Sequence, residues 1–240
     1  ALVLSDIHAN LTALEAILAS AGSVDQTWCL GDVVGYGPDP NQCVDRIRGL
    51  PNLTCILGNH DAAVAGKIPL ETFNPEARSS IQWTRASLSP DNLGWLSALP
   101  ESVVIEGVTL AHGSPRNPIW EYLLDPATAA FSFDFFATEI CFVGHTHLPI
   151  AYSQNGLGKP ARWTIPAAGA EFRPVGKTIL NPGSAGQPRD RDPRAAYGIF
   201  DSQAYLWHPY RVAYNIREVQ ERIRALSLPA RLAVRLAEGW

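Results

Sequence analysis

Five of the six histidines stand in short polar clusters: Asp6-Ile7-His8, Gly58-Asn59-His60-Asp61, His112-Gly113 and Gly144-His145-Thr146-His147, with Gly31-Asp32 as a further acidic point. Carboxylate, imidazole and one amide oxygen, without a thiolate, form a donor set that suits Mn²⁺, Fe or Zn²⁺ rather than Ca²⁺ or a structural zinc. In an extended segment residues i and i+2 point the same way, so Asp6 with His8, and His145 with His147, can face one cleft. Asp6, His8, Asp32, Asn59, His112, His145 and His147 exceed what one tetrahedral ion needs, which predicts two divalent ions. Two ions roughly 3.5–4 Å apart need a bridging anion, and Asp32 can supply it. Manganese is the ion expected to support activity.

Each cluster follows a short apolar run. Residues 1–5, 26–31 and 53–57 read as buried strands. Between them lie helical patterns: one capped by Asn10, with Leu11, Leu14, Ile17 and Leu18 on its apolar face, and one over 40–50. Such alternation predicts a parallel sheet covered by helices. Residues 62–100 carry Trp83 and Trp95 at helical spacings with no strand signal, and read as a helical insert. Residues 103–106 and 108–112 flank Gly107 as a hairpin, 126–138 as a helix and 140–144 as another buried strand. A β-rich stretch follows, with strands at 150–153, 162–165, 178–181, 197–201 and 205–207. A helical segment closes the chain at about 215–238, broken at Pro229. The polar clusters thus fall at carboxyl ends of strands, where open α/β sheets place their ligands.

The 240 residues predict one domain, and 46% apolar residues can fill its core. With 19 basic and 23 acidic side chains the formal charge is −4, so nucleic acid is not an expected partner. No apolar run approaches the length of a membrane span. Residues 1–6 lack the basic start and long apolar core of a signal peptide. Cys29, Cys43, Cys55 and Cys141 show no CxxC spacing. A reduced, cytoplasmic chain is expected.

These clusters resemble the calcineurin-like metallophosphoesterase superfamily, whose pattern runs DxH, GD, GNH(D/E), a lone H and GHxH. The order here is the same, and the text around Asp6 and Asp32 is similar to the compact bacterial phosphodiesterase-like branch. The resemblance implies an α/β fold, a four-layer α/β/β/α sandwich of two mixed sheets flanked by helices. It implies that Asp6, His8 and His147 hold one metal, that Asn59, His112 and His145 hold the other, and that Asp32 bridges them with a hydroxide. It further implies that this hydroxide attacks phosphorus and that His60 protonates the leaving alkoxide. Two divalent ions, two carboxylates and a hydroxide sum to about +1, a receptor for a phosphodiester anion.

One departure narrows the branch. Phosphoprotein phosphatases and dinucleoside-tetraphosphate hydrolases carry an Asp-Arg pair shortly after GD, and this chain has Gly35-Tyr36. An arginine clamp benefits a monoester dianion most, so its absence favours a small phosphodiester or a nucleotide. The missing acidic partner of the catalytic histidine leaves Asp61 as the candidate to orient His60. Tyr36 and Arg116 are candidate substrate contacts. The loop over 188–194, with three arginines among Asp190 and Asp192, reads as a solvated, internally paired segment, the alternative being contact with substrate phosphate. Phe131, Phe133, Phe135 and Phe136 read as core. Ile216, Val219, Ile223 and Leu226 form either a helix packed on the sheet or the face of a homodimer. The alternatives to a phosphodiesterase are a phosphomonoesterase or phosphoprotein phosphatase, and a non-catalytic scaffold of the same fold.

Overall fold

The computed structural model describes residues 1–156 and 158–240. The first half runs β1 (Leu2–Leu4), α1 (Leu11–Ala21), β2 (Thr27–Cys29), α2 (Pro40–Arg48), β3 (Leu53–Cys55) and α3 (Asn59–Val64). Two further helices, α4 (Pro75–Ser87) and α5 (Pro90–Ser97), precede the hairpin β4 (Ser102–Ile105) and β5 (Val108–Ala111). Next come α6 (Pro126–Ser132), β6 (Ile140–Phe142), β7 (Pro149–Gln154), β8 (Arg162–Thr164) and β9 (Lys177–Pro182). The chain continues through β10 (Ala195–Asp201), β11 (Leu206–Val212), α7 (Ile216–Ala225) and α8 (Ala230–Glu238).

The strands form two mixed sheets. The first has the order β11-β10-β1-β2-β3, with β1, β2 and β3 parallel. The second has the order β4-β5-β6-β9-β7-β8, with β5, β6 and β9 parallel. Val3, Trp28, Leu30 and Phe200 of the first sheet meet Leu110, Phe142 and Leu180 of the second in one apolar layer. Side chains of this kind contribute about 1.5–3 kcal/mol each when fully buried. The outer face of the first sheet is covered by α1, α2, α4, α7 and α8, and that of the second by α6 and the turn after it. The four layers are therefore helices, sheet, sheet, helices.

Local chemistry explains the boundaries. The Asn10 side chain accepts from the Ala13 amide and caps α1, whose inward face is Ala13, Leu14 and Ile17. Asn74 and Ser89 cap α4 and α5 in the same way, each followed by proline in the first turn. Strand β11 extends well past the expected stop at Trp207, because Pro209 is tolerated on the last strand of the sheet, whose outer side meets only an isolated bridge between Phe172 and Trp207. The helix expected to reach Thr138 ends at Ser132. Phe133 and Phe136 beyond it are core, whereas Phe131 on the helix and Phe135 after it are exposed. Val219 and Ile223 of α7 join Leu232 and Leu236 of α8 in the core of this chain, so that face is already covered from within. Among the described residues no helix is long and apolar enough to cross a membrane.

Candidate active site

The parallel strands of both sheets end at one edge of the sandwich. Beyond β1 lie Asp6 and His8, beyond β2 Asp32, and beyond β3 Asn59 and His60 in the first turn of α3. Beyond β5 lies His112, and beyond β6 lie His145 and His147. All eight side chains are buried. The loops reach this arrangement through unusual backbone. Asp6, His8, Asp32, His145 and His147 all have φ between 49° and 65°, in the left-handed region that disfavours residues with a Cβ. Such conformations persist where the surroundings over-determine them, and they concentrate at functional sites. Close approach adds a second constraint. A Cβ on Gly58 would overlap the Asp32 carboxylate and amide, and one on Gly144 would overlap the Ser5 hydroxyl.

Two subclusters share one carboxylate. In the first, His147 Nε2 lies 3.3 Å from Asp6 Oδ1 and 3.1 Å from His8 Nε2. In the second, His112 Nε2 lies 3.1 Å from Asn59 Oδ1 and 3.4 Å from Asp32 Oδ2. The same Asp32 oxygen is 3.7 Å from His8 Nε2 and so stands between them. Asp6, His8 and His147, and likewise Asp32, His112 and His145, bring their ligand atoms within 4.8 Å of one another.

The imidazole tautomers show what the cluster can bind. His8 Nδ1 faces the Val34 carbonyl at 3.3 Å, His112 Nδ1 the Leu30 carbonyl at 2.8 Å and His147 Nδ1 the Gln187 carbonyl at 2.6 Å. A carbonyl only accepts, so each Nδ1 carries a proton and each Nε2 is left as the atom that faces the cluster. Burial pushes His8 and His147 well below their ordinary range, so both are neutral and their lone pairs face each other. Two lone pairs 3.1 Å apart beside a carboxylate suit a cation between them. His145 Nε2, buried without a hydrogen-bond partner, adds a further unused donor atom. The residues present therefore fit divalent metal ions.

Charge in the second subcluster points the same way. Burial alone would raise Asp32, but His112 and His60 overcome it and hold the carboxyl well below the usual carboxylate range. Burial likewise opposes the His112 cation, yet Asp32 outweighs it and lifts the imidazole to about 9. Asp6 is raised by burial to about 6.

His60 sits at the rim of this cluster. Burial lowers it to about 4, and its Nδ1 has no hydrogen-bond partner. Its ring lies 4.3 Å from Tyr36 and 5.2 Å from Phe73, which the helical insert contributes. Trp120 packs on Phe73 at 5.0 Å, and Tyr122 stacks on His145 at 3.8 Å. Tyr36, Phe73, Trp120 and Tyr122 thus wall the cluster with aromatic rings.

Two expected side chains have other partners. The Asp61 carboxylate accepts from the backbone amides of Val33, Val34 and Gly58 at 3.1–3.3 Å, and it makes no hydrogen bond to His60. It holds the loop after β2 against the start of α3, a role fixed by its place in that helix's first turn. Arg116 is paired with Glu121 and lies over the ring of Phe131, so its guanidinium is committed outside the cluster. The loop over 188–194 divides. Arg194 pairs with Asp192, and Arg211 pairs with Asp190. Arg189, by contrast, turns inward and buries its Nε. The turn after β9 is a brace: Asn181 Nδ2 donates to the Gly144 carbonyl at 2.7 Å, and Ser184 Oγ donates to the Asp6 carbonyl at 2.7 Å.

A two-sheet sandwich that gathers histidines and aspartates at the carboxyl ends of five parallel strands defines an α/β protein with a candidate metal centre. The pattern of the calcineurin-like phosphoesterase superfamily domain matches residues 1–204. The chain belongs to that superfamily, whose members hydrolyse phosphoesters with the aid of metal ions. It is 38% identical over 245 residues to the uncharacterized protein MJ0912 of Methanocaldococcus jannaschii, covering 99% of this chain and 97% of that one. The crystal structure of a metallophosphoesterase from Sphaerobacter thermophilus superposes with a TM-score of 0.91 at 44% identity, over 100% of this chain and 98% of that chain. A shorter match, 31% identical over 99 residues and 35% of each chain, is to a symmetrical bis(5'-nucleosyl)-tetraphosphatase of Pectobacterium atrosepticum.

Proposed function

We propose that this protein is a dinuclear metal-dependent hydrolase of phosphodiester bonds in a small molecule or nucleotide. The observation that carries the proposal is the set of Nε2 atoms and carboxylates turned into one buried cluster, with their Nδ1 atoms held by backbone carbonyls. In this reading Asp6, His8 and His147 hold one ion, Asn59, His112 and His145 the other, and Asp32 both. Bound there, such ions act as Lewis acids on the phosphoryl oxygens and lower the pKa of attacking water.

The remaining work falls to the chain itself. The aromatic wall keeps bulk water away, which strengthens every charge interaction inside. His60 is the proton donor to the leaving oxygen. Burial keeps it neutral, and an incoming phosphate anion favours its cation at the moment a proton is needed. Its orientation comes from the rings of Tyr36 and Phe73 rather than from Asp61.

Gly35-Tyr36, in place of an Asp-Arg pair, supports a diester over a monoester. The name of the Pectobacterium relative supports a nucleotide as the organic arm of that ester.

The test is hydrolysis of bis(p-nitrophenyl) phosphate and of p-nitrophenyl phosphate by metal-stripped protein reloaded with Mn²⁺, beside Asp32→Asn. Metal-dependent turnover of the diester, faster than that of the monoester and lost in Asp32→Asn, is expected. Faster monoester turnover would overturn the diester preference. No turnover of either by folded, metal-loaded protein would leave the scaffold reading.

A further inference from the structure

Arg189 is half-buried, and its Nε is fully buried with no hydrogen-bond partner. Among the described residues it forms no ion pair with any carboxylate, unlike Arg194 beside it in the same loop. Its Nη2 donates to Gln187 Oε1 at 3.1 Å. The backbone carbonyl of that same Gln187 holds His147 Nδ1 at 2.6 Å, so one residue ties the guanidinium to a cluster imidazole. The loop itself is fixed: the Gln187 amide donates to Ser184 Oγ, and the Gly186 amide to the Asp6 carbonyl. A half-buried guanidinium with a free donor beside a cationic metal site is a costly arrangement unless an anion joins it.

We propose that Arg189, carried by the loop after β9 and tied to His147 through Gln187, is the clamp for a phosphoryl oxygen of the substrate. The proposal rests on the phosphoesterase reading above and adds to it the residue that binds the anion. The fork of the guanidinium matches two oxygens of a phosphate, whereas an ammonium meets them as a point charge.

The experiment compares wild type, Arg189→Ala, Arg189→Lys and Arg194→Ala, all reloaded with Mn²⁺. Three quantities are read: bound metal per chain, the rise in Tm produced by inorganic phosphate, and the competitive inhibition constant of phosphate against bis(p-nitrophenyl) phosphate. In Arg189→Ala the metal content should match wild type, while KM and the phosphate constant rise about tenfold to hundredfold, the loss of one hydrogen bond to a charged group. The phosphate-dependent rise in Tm should shrink with them. Arg189→Lys should recover part of the loss, and it also covers the case in which the alanine variant does not fold. Arg194→Ala should behave as wild type.

Unchanged phosphate binding in Arg189→Ala would overturn the proposal. So would loss of metal from that variant, which would make Arg189 a brace for His147 acting through Gln187. Absence of turnover and of phosphate binding in wild type would instead sink the esterase reading, a result visible before any variant is made.

Discussion

The proton on His112 stands where a metal ion would act. Asp32 holds that imidazole at about 9, so it is charged at pH 7 in the metal-free chain, whereas a metal ligand needs its Nε2 lone pair. Metal binding should therefore release close to one proton from His112 at pH 7. The apparent affinity should rise roughly tenfold per pH unit from 7 to 9 and then level off. Calorimetric titration with Mn²⁺ in two buffers of different ionisation enthalpy reads the proton count directly. No buffer dependence at pH 7 would contradict the Asp32–His112 pairing. Asp61 calls for a different measurement, since its three backbone amides make it structural. Asp61→Asn keeps the shape but removes the charge that those amides favour, and should lower stability by about 1–3 kcal/mol with metal binding retained. A Tm fall without loss of metal is the expected pattern. Loss of catalysis at unchanged Tm would restore the role of orienting His60.

Elements were legible in proportion to how far local pattern decides them. The core strands β1, β2, β3 and β6 announce themselves as apolar runs, and Asn10 marks a helix start through a hydrogen bond made within one turn. Strand β11 announced only its start, at 205–207. Pro209 argues against a strand until the sheet order shows that β11 is an edge, where its missing N–H has no partner to lose. The pairing of β11 with β10 also sets a steric demand. Any Cβ on Gly198 would run into the Trp207 ring, which fills the apolar layer between the sheets. Gly198→Ala should therefore cost about 1–3 kcal/mol as an overpacked core position. For a chain of this size each kcal/mol is worth roughly 2–4 °C of Tm. A variant that melts with wild type would show that β11 shifts freely on the edge. The site was legible as residue types in order. The inward turn of Arg189 was not, because no local spacing distinguishes it from Arg194. Nor was the commitment of Asp61 to amides 27 and 28 residues away.

At the scale of the whole molecule, the cluster makes stability depend on pH in a way that metal should alter. In the metal-free protein, burial holds His60 at about 4 and His8, His145 and His147 well below their ordinary value near 6.5. The unfolded chain then binds more protons than the folded one below about 6.5, so these four groups stabilise the fold above that pH and lose the contribution as pH falls toward 4. Asp6 at about 6 and Asp61 at about 7 are shifted upward by burial and work in the opposite sense. Two carboxyls offset only part of four imidazoles, so net stability should fall on the acid side. His112 supplies the alkaline limb. Its folded value of about 9 exceeds the unfolded one, so its contribution is complete below 6.5 and disappears as pH rises through 9. Chelated protein should accordingly show its highest Tm near pH 6.5–7, with a decline on both sides. Mn²⁺ should abolish the alkaline decline, because a ligated His112 is neutral already, and should steepen the acid one, because protons then compete with the ion. Thermal melts from pH 4 to 10, with chelator and with Mn²⁺, test both limbs at once. An alkaline limb that persists in Mn²⁺ would remove His112 from the ligand set, and a chelated Tm that climbs below pH 6.5 would mean that the carboxyls, not the imidazoles, govern the edge of this sandwich.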